Sequence, residues 1–331
     1  MRRKSAIFLI VLSGNVPGTA GAQNPPPETP QVPPFRVESG IVQVPVSVTG
    51  KRGTQVADLQ ADDFDVLVDG VHRQITLDRF DTGVAPISLV VAIQAAGISA
   101  PAIAKIRRIG GMIQPLVIGS RGEAAVLAFD NEVKWLQDFT PDSIAIDDAI
   151  TNVKPGESMQ ACMFDAIVEA ANRMKRRAGR KILLLISETR DRGSKTKFDD
   201  ALEAVAREGI EVFAAHYSAY TTTWIAKPED VPPAGPNLIR IFTEVGRLAT
   251  VNAVQALTTA TGGSDFPFAK ERTLENAIQK FGAEVHSQYI LSFPQHADAD
   301  ASGQPGLHRI EVSIRDRADL RVRFRQSYWA N

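Results

Sequence analysis

Cysteine is almost missing from this sequence. Cys162 is the only one in 331 residues, so no intramolecular disulfide can form and stability must come from the core. An excess of one charge is missing too. With 37 Lys and Arg against 38 Asp and Glu the net charge is −1, which excludes the broad basic field that nucleic-acid binding needs. The apolar run near the start, Ala6 to Leu12, is well short of the roughly 20 residues of a membrane span. The chain also lacks Gly-x-Ser-x-Gly, His-Glu-x-x-His, a phosphate-cradling glycine loop and any Cys/His ligand spacing. Its histidines, His72, His216, His286, His296 and His308, are scattered and read as surface or structural residues. Neither catalysis nor a cofactor is expected.

What is present is a globular chain, 44% apolar, long enough for a main domain with smaller additions. Residues 1–22 order a basic start (Arg2-Arg3-Lys4), an apolar stretch and the small residues Ala20-Gly21-Ala22, as a secretory signal peptide does. Residues 23–35 are a proline-rich linker that cannot form helix or central strand. The mature chain is therefore expected to be secreted or periplasmic, without a membrane span.

From 36 to 82 apolar residues alternate (Val42, Val44, Val46, Val48, then Val66 and Val68) between turns at Lys51-Arg52-Gly53 and Asp69-Gly70. This predicts a small antiparallel β-unit, with Asp69-Gly70 as a hairpin turn. The pattern then changes. Ile87 to Ile93 is a continuous apolar run that ends in Gln94-Ala95-Ala96-Gly97-Ile98-Ser99, the signature of a buried parallel strand meeting a loop. A helical stripe follows (Ile103, Ile106, Ile109, Ile113), then a strand at Ala124–Phe129, a turn at Asp130-Asn131, and a helix near Ile144–Val153. A helix holding Phe164, Ile167, Val168, Ala171 and Met174 leads to the apolar strand Lys181–Ile186, which ends in Ser187-Glu188-Thr189. Helix 199–208, strand 210–215, a proline-rich loop with Tyr220 and Trp224, and helices 248–261 and 274–286 complete the span 84–293. Strand and helix alternate, as in a doubly wound α/β fold.

In 294–331 the segments His308–Arg315 and Leu320–Arg325 alternate again and read as two strands paired through Asp316–Asp319, packing with the N-terminal β-unit. Arg321, Arg323 and Arg325 then share a face, read as a solvated edge.

This order of elements resembles the von Willebrand factor A (VWA) family, and more closely its secreted relatives in acidobacteria. The resemblance implies a mostly parallel, Rossmann-like sheet with a small antiparallel β-unit made by the two flanks. It also implies a metal-ion-dependent adhesion site, and here that site is degenerate. Gln94 stands at the first-strand Asp, Ala96 and Ile98 at the two Ser positions and Ala161 at the Thr, with Ser158 able to substitute only in a shifted loop. Glu188 stands where relatives carry Asp. An amide flanked by Ala and Ile cannot supply the near-octahedral oxygen shell that Mg²⁺ demands.

The expectation is a protein-binding or scaffolding module that works without metal. Its recognition face would be apolar around Ala95–Ile98 and extended by Tyr220 and Trp224. Two other readings stay open: a metal-dependent receptor rebuilt on Glu188 with Ser158, Asp165 or Asp191, and an enzyme whose groups converge only in space. Cys162, between Ala161 and Met163, reads as a small buried hydrophobe.

Overall fold

A computed structural model describes residues 40–78, 86–217, 252–295 and 306–330. The stretches expected to be a signal peptide and a linker, and the loop carrying Tyr220 and Trp224, lie outside the described residues, as does His296.

The continuous apolar run becomes β5 (Ile87–Gln94), buried at every position and placed inside a six-stranded sheet. Its neighbours are β6 (Glu123–Phe129) on one side and β8 (Arg180–Ser187) on the other, both parallel to it. Outward from β8 lie β9 (Glu211–His216) and the short β10 (Asp265–Pro267), also parallel. Beyond β6 the edge strand β7 (Val133–Thr140) returns antiparallel through the Asp130-Asn131 turn. The order β10-β9-β8-β5-β6-β7 therefore reverses direction at β5.

Side-chain alternation along β5 supplies two cores. Leu89, Val91 and Ile93 face α1 (Ala100–Ile106), α2 (Gly110–Ile113), α3 (Ser143–Thr151) and the long helix Glu271–Ser287. Val90 and Ala92 face α4 (Met163–Met174), α5 (Phe198–Arg207) and α6 (Ala253–Thr261). The expected helical stripe is real, since Ile103, Ile106, Ile109 and Ile113 are each at most 1% exposed. It is carried by two short helices broken at Arg107–Ile109, and the second runs on into a π-helical turn at Gln114–Ile118. Helices thus cover both faces, the doubly wound arrangement that continuous apolar strands require.

The flanks build two four-stranded sheets around a third core. One holds β1 (Ile41–Thr49), β4 (Thr76–Asp78), β11 (Tyr289–Pro294) and β13 (Arg321–Phe324). The other holds β2 (Phe64–Val68), β3 (Val71–His72), β12 (Gly306–Ile314) and β14 (Ser327–Ala330). The Asp69-Gly70 turn forms as expected, with φ of 50° and 81°, the left-handed pair a tight hairpin uses.

Two expectations need correction here. The tail strands β12 and β13 do not pair with each other: β12 pairs with β2, and β13 with β1, in different sheets. Alternation marks which face a strand buries but does not name its partner. Likewise β11, inside the span 84–293, leaves the main sheet and pairs antiparallel with β1, from Ile41↔Pro294 to Val46↔Tyr289.

Candidate functional site

In open α/β sheets ligands sit beyond the carboxyl ends of the strands where the strand order reverses, here between β5 and β8. The loops that follow these strands meet there. Gln94, last in β5 and 1% exposed, accepts the backbone N–H of Glu188 on its Oε1 at 2.9 Å. The loop before α4 joins them: Gly97 N–H donates to Ser158 O (2.7 Å) and Gly156 N–H to Ala95 O (2.6 Å). Ala161 and Arg192 exchange backbone hydrogen bonds at 2.8 and 2.9 Å, tying the α4 loop to the one after β8. Gln94, Ala96, Ser158, Ala161 and Glu188 are therefore drawn into one knot of loops, with Ile98 packed beside it against the second core.

The chemistry of the knot is set by burial. Ala96 and Ala161, at the positions the resemblance assigns to hydroxyl ligands, are fully buried. Ala95 is 5% exposed, so the apolar recognition face expected over Ala95–Ile98 does not exist in that form. Only Gly97 and Ile98 reach partly to the surface, because the loop turns at once into the 3₁₀ turn Gly97–Ser99 and its alanines close the cores. Apolar surface is instead presented one loop over, by Met159, which is 56% exposed.

Glu188 is buried, and its Oε2 lies 3.6 Å from Arg192 Nε, so a cation of the chain itself stands against the carboxylate. Asp165 and Asp191 are taken up by the chain as well. Asp165 accepts from the Lys195 and Thr196 amides at 3.1 and 2.9 Å, and Asp191 from the Phe164 and Ser194 amides at 3.1 and 3.2 Å. Burial opposes ionisation of Asp165, but the Thr196 hydroxyl and amide and Lys195 outweigh it and hold the carboxyl below its usual range. Ser158 Oγ accepts the Gln160 amide at 3.0 Å. Among the described residues no group of three His, Cys, Asp or Glu side chains could hold a metal ion.

Sequence reasoning missed two neighbours of this knot. Tyr217, directly after β9 and 7% exposed, faces the fully buried Ser99 without a hydrogen bond of good geometry. Burial pushes the Tyr217 hydroxyl up, Ser99 works against it, and the Glu188 charge adds to the rise. Gln94 Nε2 is buried too, without a hydrogen-bond partner among the described residues. Buried polar atoms left in this condition are rare and mark sites worth explaining. Only the apolar run before Tyr217 and the position of Ser99 after the first loop could have signalled them.

Cys162 behaves as expected: it is 2% exposed, and burial, with Asp165 adding to it, pushes its thiol to about 11. Three of the histidines face aspartates, His72 with Asp65 (2.8 Å), His308 with Asp69 (2.7 Å) and His216 with Asp265 (3.2 Å).

No family model matches the chain, and no curated protein does. Among solved structures it is similar to a von Willebrand factor type A protein from Catenulispora acidiphila, with 10% identity over 89% of this chain and 74% of that one and a TM-score of 0.45. It is also similar to an aerotolerance-related membrane protein from Bacteroides fragilis, with 11% identity over 60% of this chain and 99% of that one and a TM-score of 0.42. A third is proximal thread matrix protein 1 from the mussel byssus, with 11% identity over 69% of this chain and 49% of that one and a TM-score of 0.46. At such identities and scores these are likenesses only, and the α/β class rests on the strand order and layers above. No helix among the described residues is long and apolar enough to cross a membrane.

Proposed function

We propose that this chain is a secreted or periplasmic protein-binding module of the VWA type. Its adhesion site is degenerate and works without a metal ion, and residues 84–293 form the platform that the flanking β-sheets brace. The observation that carries this is the closure of the loop knot from within. Gln94 meets the Glu188 amide at 2.9 Å, and Arg192 supplies the positive charge beside the Glu188 carboxylate. A carboxamide in place of an acid, with methyl groups at positions 96 and 161, leaves too few hard oxygens for a divalent cation. Binding then falls to the rim, where Met159 and the edge of Ile98 offer apolar contact among polar loops. Tyr220 and Trp224 are proposed to extend that rim.

Photo-crosslinking tests this reading. A crosslinker placed at position 159 should capture the same protein from an envelope extract with or without chelator. The same group at position 144, where Ile144 is 70% exposed on α3, should capture none. Capture that chelator abolishes and Mg²⁺ restores would overturn metal independence. Equal capture from both positions would overturn the assigned face.

A further inference from the structure

At the opposite, N-terminal edge of the parallel sheet, a cleft of about 280 Å³ opens where β8 and β9 begin and the flanking sheets pack against them. Its walls carry an unusual balance of charge. Glu211 is 3% exposed and is fully engaged: Oε2 accepts from Arg180 Nη2 at 2.9 Å, and Oε1 accepts from Gln288 Nε2. Lys181 is bonded to Glu208 at 3.0 Å, and Arg207 is paired with Glu203 and lies 3.5 Å over the Trp329 ring. Of the four cations on these walls, Arg325 alone makes no ion pair among the described residues. Its Nε is buried without a hydrogen bond, and its guanidinium reaches toward Gly209, where an added Cβ would come within 2.9 Å of Nη1. Burial pulls Arg325 down to about 10 although Glu211 and Tyr328 act the other way, so it is still a cation at neutral pH.

A buried charge without a counter-ion is costly. Here the charge stands in a cleft open to solvent, so the missing partner can come from outside. We propose that this cleft binds a small carboxylate, held on Arg325. The class follows from the charge count. One uncompensated guanidinium balances a single negative charge, while Glu208 and Glu211 on the same walls repel a second. A guanidinium also matches a carboxylate in plane, two N–H groups to two oxygens. The apolar body of the ligand would lie along Ile290 and Trp329.

The carboxylate could belong to a free organic acid or to the C-terminus of a polypeptide. Calorimetry on the full chain separates them with four probes: 3-phenylpropionate, the peptide acetyl-Ala-Ala-Phe as the free acid, the same peptide as the C-terminal amide, and inorganic phosphate. The expected result is saturable binding of phenylpropionate, of the acid peptide, or of both, with no binding of the amide and weaker binding of phosphate. Arg325→Met should lower the affinity at least about tenfold while leaving the unfolding midpoint of the free protein undiminished, since no ion pair is lost. Gln43→Glu, a change at an exposed rim position, should weaken binding without touching the fold. Tighter binding of phosphate would overturn the carboxylate assignment. Unchanged affinity in folded Arg325→Met, or no binding of any carboxylate probe, would overturn the site.

Discussion

At the C-terminal edge of the parallel sheet Gln94 and Glu188 meet through a carboxamide oxygen and a backbone amide, whereas at its N-terminal edge Arg180 and Glu211 meet as a full ion pair, both side chains at most 5% exposed. At the first edge methyl groups stand buried at Ala96 and Ala161, and Arg192 stands beside the Glu188 carboxylate. The second keeps buried charge, with Arg180, Glu211 and Gln288 bonded in a ring of contacts and Arg325 beside them without a counter-ion. Where neutral groups close a site, removing one loosens a loop. Where charges close it, removing one strands the other.

The largest effect should therefore come from Glu211→Ala. It leaves the buried Arg180 without its Glu211 partner and removes the carboxylate that favours the Arg325 cation. Breaking a buried pair on one side costs about 3–5 kcal/mol. Urea unfolding, followed by far-ultraviolet circular dichroism, should show the midpoint fall accordingly with little change in slope. A loss no larger than that of an ordinary surface substitution would mean that water reaches this edge and that the contrast between the edges is false.

How far these edges could be read from the sequence differs for a physical reason. The C-terminal edge was legible because a parallel strand announces itself as an apolar run, and the residue after the run has to lie at the sheet's end. Gln94 and Glu188 were found in that way and do meet. Their burial was not legible, since Ala95 and Ala96 look alike whether a loop turns outward or, as here, folds straight into a 3₁₀ turn. The N-terminal edge is built from Arg180, Glu211, Gln288 and Arg325, which lie far apart along the chain. Alternation placed Arg321, Arg323 and Arg325 on one face but could not say what that face meets. Only Arg321 stays exposed. Arg323 forms an ion pair with the buried Glu284, and Arg325 enters the cleft, because β13 pairs with β1 and is carried against the main sheet.

An intermediate effect is expected from Gln94→Ala. The Glu188 amide loses its acceptor in a buried setting, which costs about 1–3 kcal/mol. The loss should be local. Hydrogen exchange should speed at the Glu188 amide and at Gly97 and Gly156, whose hydrogen bonds tie the same loops, while amides in the middle of β8 keep their protection. Uniform loss of protection across the sheet would show that the knot holds the fold as a whole, not only its rim.

The smallest effect concerns Asp165, which holds the Lys195 and Thr196 amides at the start of α4. Its folded-state pKa lies below the ordinary carboxylate value, so below pH about 4 the unfolded chain binds more protons than the folded one. The stabilisation is complete above that range and is lost as the pH falls through the folded-state value. Asp165→Asn removes the titrating group, so the stability of the variant should decline less steeply toward acid, and the two proteins should converge as Asp165 becomes protonated. Unfolding midpoints measured from about pH 6 down to about pH 3 resolve this as a difference in slope. Equal slopes would mean that the Asp165 carboxyl is held no better in the fold than in water, and that the loop joining β8 to α5 rests on Asp191 and Ser194 alone.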